Sequence, residues 1–116
     1  MRIYCMKSCI PIYHGSSDER QEAHCHTIEI VAYIESRSDR FVPFSHVEES
    51  LNRCLNHYRG QFLNAFPEFH GDSSIEGIGE ALFAQIFEAL SERALSLKRL
   101  EVSETPLRRY AVGIID

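Results

Sequence analysis

Two segments near the N-terminus alternate hydrophobic and polar residues with the period of two that is typical of β-strands. Residues 2–13 predict a first strand, and residues 24–35 predict a second strand with a clearer pattern. One face of the second strand carries His24, His26, Ile28, Ile30, Ala32 and Ile34. The alternation therefore places two histidines on the apolar face of a predicted sheet.

The middle of the chain has the three-to-four-residue spacing of amphipathic helices. Ser45 and Glu48 predict a capping box at the start of a first helix, in which each side chain bonds a backbone N–H group that the helix leaves unpaired. Ser73 and Glu76 predict a second capping box, and the second helix should extend to about residue 93.

Two short strands, 98–104 and 108–115, follow the helices, with Pro106 between them. The order β-β-α-α-β-β favours an α+β fold, in which an antiparallel four-stranded sheet has both helices on one face. The length of 116 residues predicts one domain, 1–116. Since helices cover only one face of such a sheet, the chain is expected to associate with other copies.

Composition excludes several classes of function. The net charge is −5 and the basic residues form no block, so a nucleic-acid-binding surface is not expected. No apolar run approaches the ~18 residues of a membrane span, and the N-terminal residues do not resemble a signal peptide. We therefore expect a cytoplasmic protein whose four cysteines are reduced.

Three histidines could form a metal site. His24 and His26 point to the same side of their strand, and a hairpin return would bring His14 beside them. Three histidines with an open fourth position form a known catalytic zinc site. A His-x-His pair alone also fits two half-buried histidines with ordinary hydrogen bonds, so the spacing leaves both interpretations open.

Two further residues have a structural and a functional interpretation. His57 lies near the end of the first helix, where the helix dipole favours a histidine without any catalytic role. Glu104 shares a strand face with two apolar residues, so its carboxylate either lies at a solvent-exposed rim or pairs with a donor.

Six segments, in chain order, resemble the 6-pyruvoyl/6-carboxytetrahydropterin synthase family, whose members have the tunnelling fold. These segments are Ile12-Tyr13-His14, His24-Cys25-His26-Thr27-Ile28-Glu29-Ile30, Leu55-Asn56-His57-Tyr58, Phe62–Phe69, Ser73-Ser74-Ile75-Glu76 and Val102-Ser103-Glu104-Thr105, the last followed by Tyr110. The predicted β-β-α-α-β-β order agrees with this fold.

The resemblance implies a ligand set and a reaction. By it, His14, His24 and His26 would bind Zn²⁺. Glu104 would anchor a pterin through paired hydrogen bonds, and substrate binding would also involve Thr105 and Glu76. The implied enzyme is a lyase that acts on 7,8-dihydroneopterin triphosphate, yielding 6-carboxytetrahydropterin for 7-deazapurine synthesis, or a 6-pyruvoyl or 6-hydroxymethyl pterin.

The resemblance also implies that the chain forms a homo-oligomer, a trimer or a dimer of trimers, in which the sheets join into a barrel. His57 matches a catalytic histidine that works with a cysteine, usually supplied by a neighbouring subunit. In this family the active sites therefore form only on oligomerisation.

The chain departs from the family pattern at three positions. One is Cys25, which stands where the family has a glycine between the two zinc histidines, and its side chain should point away from the metal. Arg20 stands where the catalytic cysteine is usual, and Asn56, which could only orient the histidine ring, replaces an aspartate. Glu22 is the preferred candidate for the base, with Glu19 and Cys9 as alternatives. Two hypotheses follow: a zinc-dependent lyase, or a catalytically reduced relative that only binds a pterin or purine.

Overall fold

Four strands form one antiparallel sheet in the part of the chain that the computed structural model describes, residues 2–15, 23–38, 41–72 and 74–113. In chain order the elements are β1 (Ile3–His14), β2 (His24–Ser36), α1 (Phe44–Leu55), α2 (Ile75–Ser91), β3 (Leu95–Thr105) and β4 (Arg108–Gly113). Short 3-10 turns at Leu63–Ala65 and Pro67–Phe69 lie between the helices. The predicted α+β class and β-β-α-α-β-β order are confirmed.

The strands are paired in the spatial order β1-β2-β3-β4. In the β1–β2 hairpin, His14 lies opposite His24 and Ile12 lies opposite His26. On the other side of β2, Ile30 lies opposite Val102 of β3. The expected hairpin return is therefore present, and it brings the three candidate histidines to one end of the sheet.

The helices cover one face of this sheet, and the core lies between the two layers. The sheet contributes Tyr4, Met6, Ile10, Ile12, Ile28, Ile30, Ala32, Ile34, Leu95, Leu97, Leu100 and Val102, and the helices contribute Val47, Leu51, Leu55, Ile78, Leu82, Ile86 and Leu90. Full burial of one such aliphatic side chain stabilises the fold by about 1.5–3 kcal/mol relative to exposure. The predicted alternation along β2 is confirmed, since the apolar residues of the face that also carries His24 and His26 are all buried: Ile28, Ile30, Ala32 and Ile34.

A β-bulge explains why the third strand begins earlier than predicted. Tyr33 pairs with Arg99 and Ile34 pairs with Leu97, so Lys98 is an extra residue in β3. The bulge shifts the alternation by one, which keeps Leu97 and Leu100 on the same buried face. The strand therefore begins at Leu95 rather than at residue 98.

The opposite face of the sheet is charged. Lys7 contacts Glu29 at 3.1 Å, and Arg109 contacts both Glu29 at 2.8 Å and Glu101 at 3.0 Å. Arg99 also contacts Glu101, at 3.0 Å. The charged residues of this face thus form a network of ion pairs around Val31, which is also buried, whereas the large aliphatic residues of the core cluster point toward the helices.

The predicted capping box of the first helix is wrong. The helix begins at Phe44, and its N-cap is Pro43, which makes no side-chain hydrogen bond. Pro43 has a φ of −60° and an extended ψ of 144°, so the proline itself sets the direction in which the chain enters the helix. Ser45 therefore lies inside the first turn.

The second helix is capped one residue later than predicted. Ser74 is the N-cap, and its hydroxyl oxygen accepts a hydrogen bond of 3.1 Å from the N–H of Gly77. Asp72 Oδ1 accepts hydrogen bonds from the N–H and the hydroxyl of Ser74, at 3.1 and 2.6 Å, and these bonds lower the pKa of Asp72. The predicted cap, Ser73, lies outside the described residues. None of the described helices has the length and apolar character needed to cross a membrane.

Candidate metal and ligand site

Three adjacent strands bring two imidazoles and one carboxylate together at one end of the sheet. His14 ends β1, His26 lies near the start of β2, and Glu104 lies near the end of β3. His14 Nε2 is 3.2 Å from Glu104 Oε2, and His26 Nδ1 is 3.5 Å from the same oxygen. In the tautomer that has its N–H at Nε2, His14 donates a hydrogen bond to Glu104, which lies 90 positions later in the sequence.

The donor atoms of this cluster fit a divalent metal ion. One ligand atom each from His14, His26 and Glu104 lies within 4.8 Å of the others. Imidazole nitrogens and a carboxylate oxygen are ordinary ligands of Zn²⁺. The His14 side chain is 13% exposed and that of His26 is 42% exposed, so solvent and ligands reach the cluster from the His26 side.

His24 lies next to this cluster but is not one of its three members. Its ring centroid is 6.0 Å from that of His26, whereas the rings of His14 and His26 are 4.9 Å apart. His24 is exposed at the first position of β2. The structure thus groups two of the predicted zinc ligands with the predicted pterin anchor.

Glu104 was expected either to lie at a solvent-exposed rim or to pair with a donor, and the structure shows both. Its side chain is 26% exposed, and its carboxylate is paired with imidazoles at the same time. Glu104 also lines an open groove of about 620 Å³ between the start of α2 and the β3–β4 hairpin. The groove and the imidazole cluster therefore share one carboxylate.

The groove collects all three residues predicted to bind substrate. Its lining consists of Ser74, Ile75, Glu76, Glu104, Thr105, Leu107, Arg108, Arg109 and Tyr110. Sequence reasoning did not identify Arg108 and Arg109 as site residues. The available signal was their position in the sequence, since they follow Glu104 and Thr105 after a two-residue turn.

Tyr110 forms the wall of the groove nearest to α2. Its hydroxyl donates a 2.8 Å hydrogen bond to Glu80 Oε1, which raises the pKa of Tyr110. The helix approaches the tyrosine ring closely at Gly79, where a Cβ atom would lie 2.8 Å from Tyr110 Cδ2. Glycine at this position thus allows α2 to pack directly against β4.

His57 lies in the turn that follows α1. Its ring packs against the rings of Tyr58 and Phe66, with centroid distances of 4.9 and 5.2 Å. The side-chain oxygen of Asn56, which was expected to orient this ring, accepts a 3.1 Å hydrogen bond from Arg59 Nε. Aromatic packing therefore holds the histidine ring.

The segment after α1 is fastened to the strand that ends in His14. The N–H of Gly60 donates to Pro11 O at 2.6 Å, and the N–H of Tyr13 donates to Gln61 O at 2.9 Å. Asn64 Nδ2 donates to Gly15 O at 3.0 Å. These bonds place residues 60–64, at the start of the loop that resembles the family pattern, along the outer edge of β1.

The preferred catalytic base, Glu22, and its alternative, Glu19, lie outside the described residues, as does Arg20. Cys9, the other alternative, is exposed on β1. It lies on the charged face of the sheet, because its parity is opposite to that of His14. This position disfavours Cys9 as a base that works beside the histidines.

Comparisons with known proteins agree on one family. The family model described as 6-pyruvoyl tetrahydropterin synthase matches residues 4–113. The solved 6-pyruvoyl tetrahydropterin synthase of Caenorhabditis elegans is 15% identical, with a TM-score of 0.72, and the alignment covers 99% of this chain and 98% of that one. No curated protein sequence matches the chain.

Two further solved structures have the same fold. The enzyme of Plasmodium falciparum is 19% identical, with a TM-score of 0.63 and coverage of 96% of both chains. A variant of the Plasmodium vivax enzyme, in which a catalytic glutamate is replaced by alanine, is 18% identical. Its TM-score is 0.61, and the alignment covers 97% of this chain and 98% of that one.

Proposed function

Because the chain belongs to the 6-pyruvoyl tetrahydropterin synthase family, we propose that it is a zinc-dependent lyase acting on 7,8-dihydroneopterin triphosphate. The observation that carries this proposal is the carboxylate of Glu104, which lines the groove and lies 3.2 Å from His14 Nε2. A groove that shares a carboxylate with paired imidazoles suits a ligand that is anchored at one end and reacts beside a metal.

The metal ligands in this proposal are His14, His24 and His26. Two of them lie within the cluster of converging donor atoms, and the third lies opposite His14 in the β1–β2 pairing. A bound zinc ion would acidify a hydroxyl group or polarise a carbonyl group of the substrate side chain.

Glu104 holds the pterin ring in this proposal. A carboxylate accepts two parallel hydrogen bonds from an amino group and a neighbouring ring N–H, and this geometry discriminates against rings that lack the paired donors. Thr105 and Glu76 line the same groove and add polar contacts. With the ring held at Glu104, the side chain of the pterin would extend toward the histidines.

Proton transfer is assigned to His57 and Glu22. The ring of His57 is oriented by Tyr58 and Phe66, so it would present a defined nitrogen atom to a neighbouring subunit. Glu22 lies two positions before His24 in the sequence. The Plasmodium vivax relative, whose catalytic residue is a glutamate, supports a carboxylate in this role.

A homo-oligomer, either a trimer or a dimer of trimers, would complete these sites. The open sheet supports this proposal, because β1 and β4 are its edge strands. Residues 11–15, at the end of β1 and just after it, already bond the loop that follows α1, so β4 and the earlier part of β1 are the edges that would pair with strands of other copies. Sheets joined in this way would form a barrel with the helices outside. Light scattering should therefore give a mass of three or six chains, and a monomer would contradict the proposal.

A catalytically reduced pterin-binding or purine-binding protein is the second candidate. One observation favours it: asparagine stands at position 56, where the family pattern has an aspartate, and its side-chain oxygen accepts a hydrogen bond from Arg59. Such a protein would still need Glu104 and the groove but would not need a base.

Metal analysis tests the ligand set. The purified protein should contain about one zinc ion per chain, and the His14→Ala, His24→Ala and His26→Ala variants should lose it. His70→Asn is the matched control, because His70 is exposed and has a φ of 51° that asparagine tolerates. Glu104→Gln should keep the metal. If Glu104→Gln loses zinc while His24→Ala retains it, the ligands are His14, His26 and Glu104 instead.

Turnover distinguishes the two candidate functions. The zinc-loaded protein is incubated with 7,8-dihydroneopterin triphosphate, and release of triphosphate or acetaldehyde is followed. An enzyme should show release that Glu104→Gln and Glu22→Gln abolish or strongly reduce. Binding of the pterin without any release would favour the second candidate, and full activity of Glu22→Gln would show that another group is the base.

A further inference from the structure

His14 lies where the strand pairing of β1 ends. The register with β2 stops at the pair of His14 and His24, so the next residue, Gly15, has left the strand ladder. The direction of a side chain follows the backbone that carries it, so the course of the chain on both sides of His14 sets the position of its ring. The groups that hold residues 13 and 15 therefore decide where this imidazole points.

The segment that follows α1 bonds both neighbours of His14 from the outer edge of β1. The N–H of Tyr13 donates to Gln61 O at 2.9 Å, and Asn64 Nδ2 donates to Gly15 O at 3.0 Å. The first bond joins two backbone groups and would form with almost any residue type at these positions. The second bond comes from a side chain, so it depends on the residue that stands at position 64.

The amide group of Asn64 is carried by a fixed turn. Asn64 is half-buried in the middle of the 3-10 turn Leu63–Ala65, and both Phe62 and Leu63 are buried. The N–H of Ala65 donates to Phe62 O at 3.1 Å and closes the turn. Leu63 belongs to the same core as the sheet, so the turn is anchored to the layers that position β1. A donor held in this way can fix the carbonyl group that it bonds.

We propose that Asn64 is a positioning residue of the metal site, which fixes the strand end that carries His14. Asn64 is not itself a ligand and acts through Gly15 O, one residue beyond the proposed ligand. Groups that orient a metal ligand change metal affinity by roughly 10–100-fold when they are removed. This inference rests on the proposed zinc ligands and names the side chain that holds one of them in place.

Two substitutions at position 64 test the proposal, with zinc affinity measured by competition against a chromophoric chelator. Asn64→Ala removes the hydrogen bond together with most of the side chain. Asn64→Leu also removes the donor but keeps a side chain of similar size. Both variants should bind zinc roughly tenfold more weakly than the wild-type protein.

Asn52→Ala is the matched control. Asn52 is half-buried on α1, and its side-chain oxygen accepts a 3.5 Å hydrogen bond from Ser8 Oγ. The control thus removes an amide group that bonds another part of β1, away from the histidines, and it should leave zinc affinity unchanged. Urea unfolding of the metal-free proteins shows whether each variant is folded under the conditions of the metal measurements.

Cobalt distinguishes positioning of His14 from a general effect on stability. Co²⁺ can replace Zn²⁺ in a site of imidazole ligands, and its visible absorption spectrum depends on the geometry of those ligands. A displaced His14 should change the wavelength and intensity of the absorption bands in Asn64→Ala and Asn64→Leu. The spectrum of Asn52→Ala should match that of the wild-type protein.

The outcomes keep this inference apart from the proposed function. If the wild-type protein binds no zinc, the proposed metal site fails and the inference fails with it. If the wild-type protein binds zinc and both Asn64 variants match it in Kd and in cobalt spectrum, the positioning role is overturned while the metal site stands. Weaker zinc binding with an unchanged cobalt spectrum would also overturn it, since His14 would then keep its place. Failure of both variants to fold would assign Asn64 to the fold rather than to the site, which overturns it as well.

Discussion

The hydroxyl of Tyr58 should contribute measurably to the stability of the fold. Tyr58 is 2% exposed, and its hydroxyl donates a 2.5 Å hydrogen bond to Glu68 Oε2. Its ring also packs against Phe66 and Phe69, with centroid distances of 5.2 and 5.4 Å. Tyr58→Phe keeps these ring contacts but leaves the partly buried carboxylate without its donor. We expect a loss of about 2 kcal/mol in the free energy of unfolding, since hydrogen bonds to charged groups contribute about 1.5–3 kcal/mol.

Urea unfolding followed by circular dichroism, at matched protein concentrations, measures this loss. Tyr110→Phe is the matched control, because it removes a 2.8 Å bond to Glu80 on the surface and should cost less than about 1 kcal/mol. Glu68→Gln and the double variant complete a cycle. The coupling energy between Tyr58 and Glu68 should be about 1–2 kcal/mol. A coupling energy near zero would refute the argument.

Tyr58 should also make the free energy of unfolding depend on pH in the alkaline range. Burial, and then the hydrogen bond to Glu68, raise the pKa of Tyr58 well above its ordinary value of 10.0. The unfolded chain therefore loses the phenolic proton at a lower pH than the folded chain. The stabilisation is fully present below about pH 10 and is lost as the pH rises further. Tyr58→Phe should lack this contribution, so equal alkaline slopes for both proteins would contradict the buried position of the hydroxyl.

Further predictions concern the thiols and the helix contact at the groove. Burial raises the pKa of the Cys54 thiol to about 11, so at pH 8 a thiol reagent should modify the exposed Cys5, Cys9 and Cys25 quickly and the half-buried Cys54 much more slowly. Fast reaction of four thiols in the folded protein would contradict this. Gly79→Ala should lower stability by about 1 kcal/mol, because overpacking against Tyr110 costs about 1–3 kcal/mol while the gain in helix propensity is about 1 kcal/mol. Urea unfolding measures the loss, and unchanged or greater stability would show that the helix shifts freely.

The sheet was largely predictable because its signal is local. The alternation around Ile28 and Ile30 reports directly which side chains face the core, and these residues are fully buried. The bulge at Lys98 was not predictable, because an extra residue in a strand is recognised only from its pairing with a neighbouring strand. The predicted third strand accordingly began too late.

The predicted helix caps failed for a different reason. Ser45 has the spacing of a capping box with Glu48, but Pro43 already determines how the chain enters α1. At α2, the hydroxyl of Ser74, fixed by Asp72, accepts the capping bond. Several neighbouring residues can satisfy the same backbone groups, so the local motif does not decide between them.

The sequence by itself determined which candidate residues share a face, because the period of a strand or helix is a property of each segment alone. It placed His24 and His26 on one side of β2, and it identified Glu104 as an inward carboxylate. Only the tertiary structure decided that Glu104 meets His14 and His26, and that Arg108 joins it in one groove. These contacts join segments up to 90 residues apart, so they depend on strand order and register, which arise when the whole sheet packs against its helices.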